Sequence, residues 1–298
     1  MLSMERAFHS ERTLRQVIGV SSEEFEALRP RFEEALALAG QGERQRCSGA
    51  GRKARLATGA EKLFFMLFYL KCYLPFDVLG LLFEVHAAQA CRWVKAWLPA
   101  LVHALEGREV LPLRQLADEA EFEVAFPGCE SVFVDGTERP IRRAKDYETQ
   151  KANYSGKKKR HTKKNLVVSD ERKRVLVLTP TAVGKTHDYA LFKAAGLGDS
   201  LPKDLGTWLD SGFEGVNKDY PQLTVFCPFK KPKGGQLSAL KKRFNQLVAK
   251  GRVLSEHTIA GIKRLKCVTD IYRNRRPNME DMLILVACGL WNLHVEIA

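Results

Sequence analysis

The feature that most constrains the fold is the run Ser131–Ile141, SVFVDGTERPI. Its first four residues have strand character, and they deliver a carboxylate, Asp135, straight into a turn opened by Gly136. Short apolar, β-branched runs favour a buried strand, and glycine permits a tight exit. The run therefore predicts an acid at the rim of a sheet. A second stretch repeats the design: Leu205–Leu209 (LGTWL) reads as a strand and leads into Asp210-Ser211-Gly212. If the two strands are neighbours, the carboxylates face one another, and like charges so placed call for Mg²⁺ or Mn²⁺ between them.

A third acid, Glu256, lies in Arg252–Cys267 (RVLSEHTIAGIKRLKC), which reads as a helix. Residues 256, 260, 263 and 267 share one face of it. Lys263 is then about 10 Å along the axis from Glu256, so one face offers a carboxylate to a metal and a cation to a phosphate. Singly, each acid is ordinary. Asp before Gly is common turn chemistry, and a helical Glu usually meets solvent. Together, in a basic chain, they point to metal-assisted cleavage of a phosphodiester.

The formal net charge is +13 over 298 residues, with 45% apolar and 28% charged residues. That balance describes a folded protein whose partner is a polyanion. The length allows two or three domains. Seven scattered Cys with no C-x-x-C pair argue against a disulfide framework or a zinc ribbon and fit a reducing cytoplasm. Met1–Ser10 lacks the apolar core of a signal peptide, and Met282–Leu293 is about half the length of a membrane span. The expectation is a soluble cytoplasmic protein without a membrane partner.

In chain order, residues 11–38 read as a helix with a capping signature at Ser21–Glu24 and an apolar stripe of Phe25, Leu28, Phe32 and Leu36. Residues 40–58 form a basic, glycine-containing linker. Ala60–Tyr73 is an apolar helix closed by Pro75. Phe76–Phe83 and Ala87–Leu101 then give a short and a longer helix across a tight connection, the plan of a helix-turn-helix. Val78, Leu81, Leu82, Val85, Ala90, Trp93, Val94 and Trp97 are the expected inner face, and Gln89, Arg92 and Lys95 the DNA-facing side. A plain helical hairpin is the competing reading. Residues 105–128 are an acidic connector.

Beyond the Asp135 turn runs a basic segment, Arg139–Lys164, densest at Lys157, Lys158, Lys159, Arg160, Lys163 and Lys164. Its place after a candidate catalytic turn favours phosphate contact over a solvated face. Arg273, Arg275 and Arg276 are a second basic candidate. Strands are expected at Leu166–Ser169, Val175–Thr179 and Leu223–Phe226, and helices at Tyr189–Ala195, Leu237–Lys250, Arg252–Cys267 and 280–296. Gly184-Lys185-Thr186 resembles the end of a P-loop, but position 179 is Thr where that motif needs Gly, so no nucleotide cofactor is expected. The histidines at 86, 161, 187 and 257 fall at no metal-ligand spacing with Cys.

Taken in order, VDGTERPI, YSGKKKRHTKKN, GKTHDYALF, LDSGFEG, SEHTIAGIKRLK, DIYRNRR and CGLWNL strongly resemble the DDE transposases of bacterial insertion sequences, in the branch similar to Harbinger transposases. The likeness covers roughly residues 59–293. It implies an α/β RNase H-like catalytic domain, a mixed central sheet flanked by helices, at 129–298. An all-α helix-turn-helix domain at 59–104 precedes it, after an N-terminal helical segment at 1–39. The resemblance implies that Asp135, Asp210 and Glu256 are metal ligands for two Mg²⁺ ions, with Mn²⁺ able to substitute. It also implies that Arg252 and Lys263 contact DNA. A Tyr that some relatives carry three residues before that Arg is Ala249 here. The implied activity is cleavage at terminal inverted repeats and joining of 3′-hydroxyl ends to target DNA by a homodimer. A domesticated DNA-binding protein and a stand-alone metal-dependent nuclease are the alternatives.

Overall fold

The computed structural model describes residues 2–40 and 54–298. The basic linker expected at 40–58 lies mostly outside the described residues. Packing divides the chain into a helical unit (Met1–Leu111, Lys263–Asp270 and Asn278–Ala298) and a sheet unit (Pro112–Ile262 and Ile271–Pro277).

The helical unit contains α1 (Met4–Phe8), α2 (Glu11–Ile18), α3 (Ser22–Gly40), α4 (Gly59–Cys72), α5 (Phe76–Phe83) and α6 (Ala87–Glu106). The single helix expected over 11–38 is thus two, parted by a short turn at 19–21. There Ser21 and Glu24 exchange backbone and side-chain hydrogen bonds at 3.1 and 3.2 Å, the capping-box arrangement that starts a helix. The same device begins α4, where Thr58 caps Glu61 and Glu61 accepts from the Thr58 N–H at 2.9 Å. Leu63–Leu70 are buried without interruption, so α4 is a core helix. Phe65 meets Phe83, Trp93 and Trp97 edge-on, at centroid distances of 4.9, 5.3 and 5.7 Å.

The expected inner face of α5 needs correction. Val78 and Leu81 are 41% and 79% exposed, and Leu79, Gly80 and Phe83 turn inward instead. Leu79 and Phe83, four residues apart, share one helix face, and Phe83 on that face meets Phe65. Ala90, Val94 and Leu98 carry the inner face of α6 as a regular stripe. The closing helix, Met279–Ile297, clusters here rather than with the sheet, where its place in the chain suggests it belongs. Its Asn292 side-chain amide donates to the Val110 carbonyl at 2.9 Å.

The sheet unit runs α7 (Glu119–Ala125), β1 (Ser131–Pro140), α8 (Tyr147–Asn153), β2 (Tyr154–Ser155), β3 (Arg160–Asp170), β4 (Val175–Leu178) and β5 (Ala182–Val183). It continues through α9 (Asp188–Ala194), α10 (Leu197–Ser200), β6 (Gly206–Leu209), α11 (Val216–Asp219), β7 (Val225–Phe226) and α12 (Ala239–Ile262). The strand order is β2-β3-β1-β6-β7, with β4 and β5 also on β3. β1 is antiparallel to β3 and parallel to β6, so the sheet is mixed.

One face carries a continuous core of Val132, Val134, Leu166, Val168, Phe192, Leu209 and Phe213. Each such side chain contributes on the order of 1.5–3 kcal/mol by leaving water. On β1 the alternate residue Phe133 belongs to the opposite face, where it stacks with Trp208 and Trp208 with Phe226, at 5.7 and 4.4 Å. α12 closes over this stack. At Gly251 an added Cβ would stand 2.5 Å from the Trp208 ring, so only glycine allows this approach. The two helices expected on either side of Gly251 are therefore one unbroken helix, pinned to the sheet at the residue that reads as a break.

Candidate active site

Val134 and Leu209 are the last partners in the parallel β1–β6 ladder, and Asp135 and Asp210 are the residues that follow them in the chain. The strands are neighbours, as the pairing of the two acids required. β1 does not end there: it runs on through Gly136 to Pro140, paired with β3 throughout, so the turn expected at Gly136 is absent and Asp135 lies within its strand, beside Asp210 just past the end of β6. Neighbouring strands lie roughly 4.8 Å apart. Asp135 accepts from the Gly136 N–H at 2.7 Å, and Asp210 caps the following 3₁₀ turn by accepting from the Gly212 N–H at 2.6 Å. Burial raises the Asp135 carboxyl above the usual carboxylate range, and the neighbouring Asp210 charge raises it further.

A third acid of this place is one that sequence reasoning missed. Asp188, first residue of α9, adds to the same upward push on Asp135. A Cβ added at Gly136 would stand 2.6 Å from Asp188 Oδ1, so the glycine opens the strand to this side chain. Asp188 Oδ1 pairs with Lys164 Nζ at 2.9 Å, yet it is buried and lacks an aligned hydrogen-bond donor. His187-Asp188 ahead of a helix is visible in the sequence. The signal that would have singled it out is the glycine opposite, which is legible only once α9 is packed on the sheet.

The third predicted acid stands apart from the pair. Glu256, on α12, is 61% exposed and lies 3.8 Å from Arg252. Arg252 itself reaches Asp135 electrostatically and draws its carboxyl downward against the two raising effects. Among the described residues no three His, Cys, Asp or Glu side chains are grouped to hold a metal ion. Lys263 lies beyond the end of α12, in the turn before the short 3₁₀ helix Lys266–Val268, so the helical rise expected between Glu256 and Lys263 does not apply. Two crowded, half-buried carboxylates, with a third whose Oδ1 lacks a donor, nonetheless suit a hard divalent cation with oxygen ligands.

The basic segment divides. Ser155 and Arg160 pair across the β2–β3 hairpin, whose tip carries Lys157, Lys158 and Lys159, and all four basic residues of 157–160 are exposed. Lys163 is half-buried. Lys164, expected on DNA, is 6% exposed. Its ammonium donates to the Thr186 carbonyl at 2.9 Å and lies 3.5 Å from Glu138 as well as 2.9 Å from Asp188. Those contacts commit it to the interior. In the helical unit Arg92 and Lys95 are exposed on α6, while Gln89 is half-buried and accepts from Arg92 Nη2 at 2.7 Å. Arg275 and Arg276 are exposed.

These features coincide with what known proteins share. Residues 134–292 match the family model described as DDE superfamily endonuclease, and residues 55–107 match the helix-turn-helix of DDE superfamily endonuclease. The first match spans more than half of the chain, and the chain belongs to the DDE superfamily endonuclease family. Its mixed α/β sheet with flanking helices, preceded by the helix-turn-helix region, is consistent with the RNase H-like fold. The chain is also 30% identical, over 166 residues, to a probable transposase for insertion sequence element IS702 from Microchaete diplosiphon. That match covers 56% of this chain and 58% of the relative. No solved structure matches the chain. No helix among the described residues is long and apolar enough to cross a membrane.

Proposed function

We propose that this chain is a DNA transposase of a bacterial insertion sequence, cutting the element's ends and joining them to target DNA. The observation that carries the reading is the register of β1 and β6, which brings Asp135 and Asp210 side by side. Asp135 and Asp210 would hold Mg²⁺ ions, and Glu256, which stands apart from the pair in this structure, is a third ligand on the resemblance alone. When bound, these ions activate the attacking oxygen and neutralise charge on the leaving one.

The chain's own residues position the DNA. Arg252, within electrostatic reach of Asp135 and paired with Glu256, offers a guanidinium to the phosphate beside the scissile bond. The exposed cations of 157–160 hold the backbone without reading sequence. Arg92 and Lys95 on α6 contact the terminal repeat in the major groove, as the second helix of a helix-turn-helix does, with Gln89 fixing the Arg92 guanidinium. Lys263 remains a candidate phosphate contact on the resemblance alone. Two element ends must be held together, so the working species is a homodimer on double-stranded DNA.

The test is a reaction of the purified chain with Mg²⁺ on a supercoiled plasmid that carries the element's two ends. Cleavage at the ends with joined products is the expected result. Cleavage without joining would make the protein a nuclease, and tight end binding without cutting in Mg²⁺ or Mn²⁺ would make it a binding protein.

A further inference from the structure

At the far end of the β1–β3 ladder the sheet unit has a cavity of about 660 Å³ that the proposed chemistry does not use. Arg143, Tyr147, Lys151, Tyr154, His161 and Lys185 line it, together with Gln150 and Gly156. Its volume is in the range of sites that take a small organic ligand, roughly 300–1,000 Å³.

The composition of its wall identifies the ligand class. Tyr147, Gln150, Lys151 and Tyr154 follow one another at positions i, i+3, i+4 and i+7 along α8 and its C-cap, so one helix face presents two phenol rings and a cation together. The rings are 69% and 42% exposed, and among the described residues Phe229 is the one other aromatic left as open. Tyr154 is steadied edge-on by His161, at a centroid distance of 5.7 Å. The Gln150 carbonyl accepts from Arg143 Nε at 2.7 Å and holds that guanidinium at the rim. Lys185 comes from the Gly184-Lys185-Thr186 stretch that mimics a P-loop. It is fixed by backbone bonds from Gly184 to Thr162 (3.0 Å) and from Lys185 to Ala152 (3.1 Å). Among the described residues Arg143, Lys151 and Lys185 have no carboxylate partner. Exposed π-faces flanked by uncompensated cations are the chemistry that holds a nucleotide, base on ring and phosphate on cation.

A base inside a duplex keeps its faces covered by its neighbours, so the rings serve only a nucleotide taken out of the stack. The cavity is also placed for it. Asp135 is registered opposite Val167, and the Ile141 N–H donates to the His161 carbonyl six residues further along the same ladder. At ~3.3 Å per residue that is about 20 Å from the acids, or about six base-pair steps of duplex at ~3.4 Å each. We infer that this cavity takes an unstacked nucleotide of the DNA strand being processed, its base against Tyr147 and Tyr154 and its phosphates on Arg143, Lys151 and Lys185. The inference rests on the reading of the chain as a DNA-processing enzyme.

The experiment compares the full-length chain with its Tyr147→Ala/Tyr154→Ala variant, with equal thermal midpoints required of the two and the double Tyr→Phe variant as a ring-retaining control. The probes are a short oligothymidylate, an abasic strand of the same length, a paired duplex and the same duplex with one unpaired thymidine. The wild type and the Phe variant bind the base-bearing strand about tenfold or more tighter than the abasic strand, as base stacking on an aromatic ring provides. The Ala variant loses that preference while its abasic binding stays unchanged. A gain for the duplex carrying the unpaired thymidine assigns the nucleotide to extrusion from a helix, and a gain for the single strand alone assigns it to a strand end. If the Ala variant keeps the preference, or weakens both strands equally, the pocket assignment falls while DNA binding stands. If the wild type binds no probe, the DNA reading and the pocket fall together.

Discussion

Two parts of one basic segment behave in opposite ways. Lys157–Arg160 and Lys163–Lys164 are alike in composition, yet the first group crowns an exposed hairpin and Lys164 is buried between two strands and a helix. The difference comes from across the strand. β1 places Glu138 opposite Lys164, and α9 brings Asp188 to the same ammonium. Burial pushes the Glu138 carboxyl up. Hydrogen bonds from Thr162 and Ser155 and the Lys164 charge outweigh that and leave it below the usual range, as an ionised member of the network. A run of cations therefore names a nucleic-acid surface only where no strand supplies it with buried anions.

The largest effect expected is at the buried end. Lys164→Met leaves Glu138 and Asp188 as uncompensated buried acids, and a loss of about 3–5 kcal/mol is predicted in urea unfolding. An effect within the scatter of surface substitutions would mean that Lys164 turns outward and belongs with the hairpin. At the exposed end, replacing Lys157, Lys158, Lys159 and Arg160 by Gln should change stability by no more than about 0.5 kcal/mol. The same change should weaken DNA binding and flatten its dependence on log salt by ~0.9 for each phosphate that the hairpin no longer neutralises. An unchanged salt slope would make the hairpin a merely solvated loop.

A stability effect smaller than that at Lys164 tests a charge held by backbone rather than by a buried cation. Glu61, in the capping box of α4, has its carboxyl lowered chiefly by the Thr58 N–H. Its contribution is present at neutral pH, above the unfolded value, and is lost as pH falls through the lower folded value. Glu61→Gln should cost roughly 1 kcal/mol at pH 7, the scale of a helix cap, and the gap to wild type should close toward pH 3 in thermal scans. A gap that persists at low pH would mean that Glu61 does not act through its charge.

Local chemistry was legible in the sequence, and relations between distant segments were not. The turn read at Asp135-Gly136 is strand, held open by its pairing with Val167 and Leu166 on β3, whereas the acid after β6 declared itself because a strand run, an acid and a glycine are close in the chain. The capping box at Ser21–Glu24 was legible for the same reason. Asp188 was not, because its role depends on Gly136 being side-chain-free about fifty residues earlier. The close approach of α12 to the sheet at Gly251 is set by the Trp208 ring, and the inward turn of Phe83 is met by Phe65. In each case a tertiary contact overrode a local rule.

The central claim is that Asp135 and Asp210 form one catalytic pair, and the direct measurement is Mg²⁺-dependent cleavage of end-bearing DNA by Asp135→Asn and Asp210→Asn, with DNA affinity measured alongside. Each variant should lose about a thousandfold or more in cleavage rate, on the scale of removing a group that stabilises transition-state charge. The double variant should be no worse than either single one, and affinity for the ends should stay near that of wild type. Cleavage at near wild-type rate by either variant would contradict the pair as the seat of catalysis.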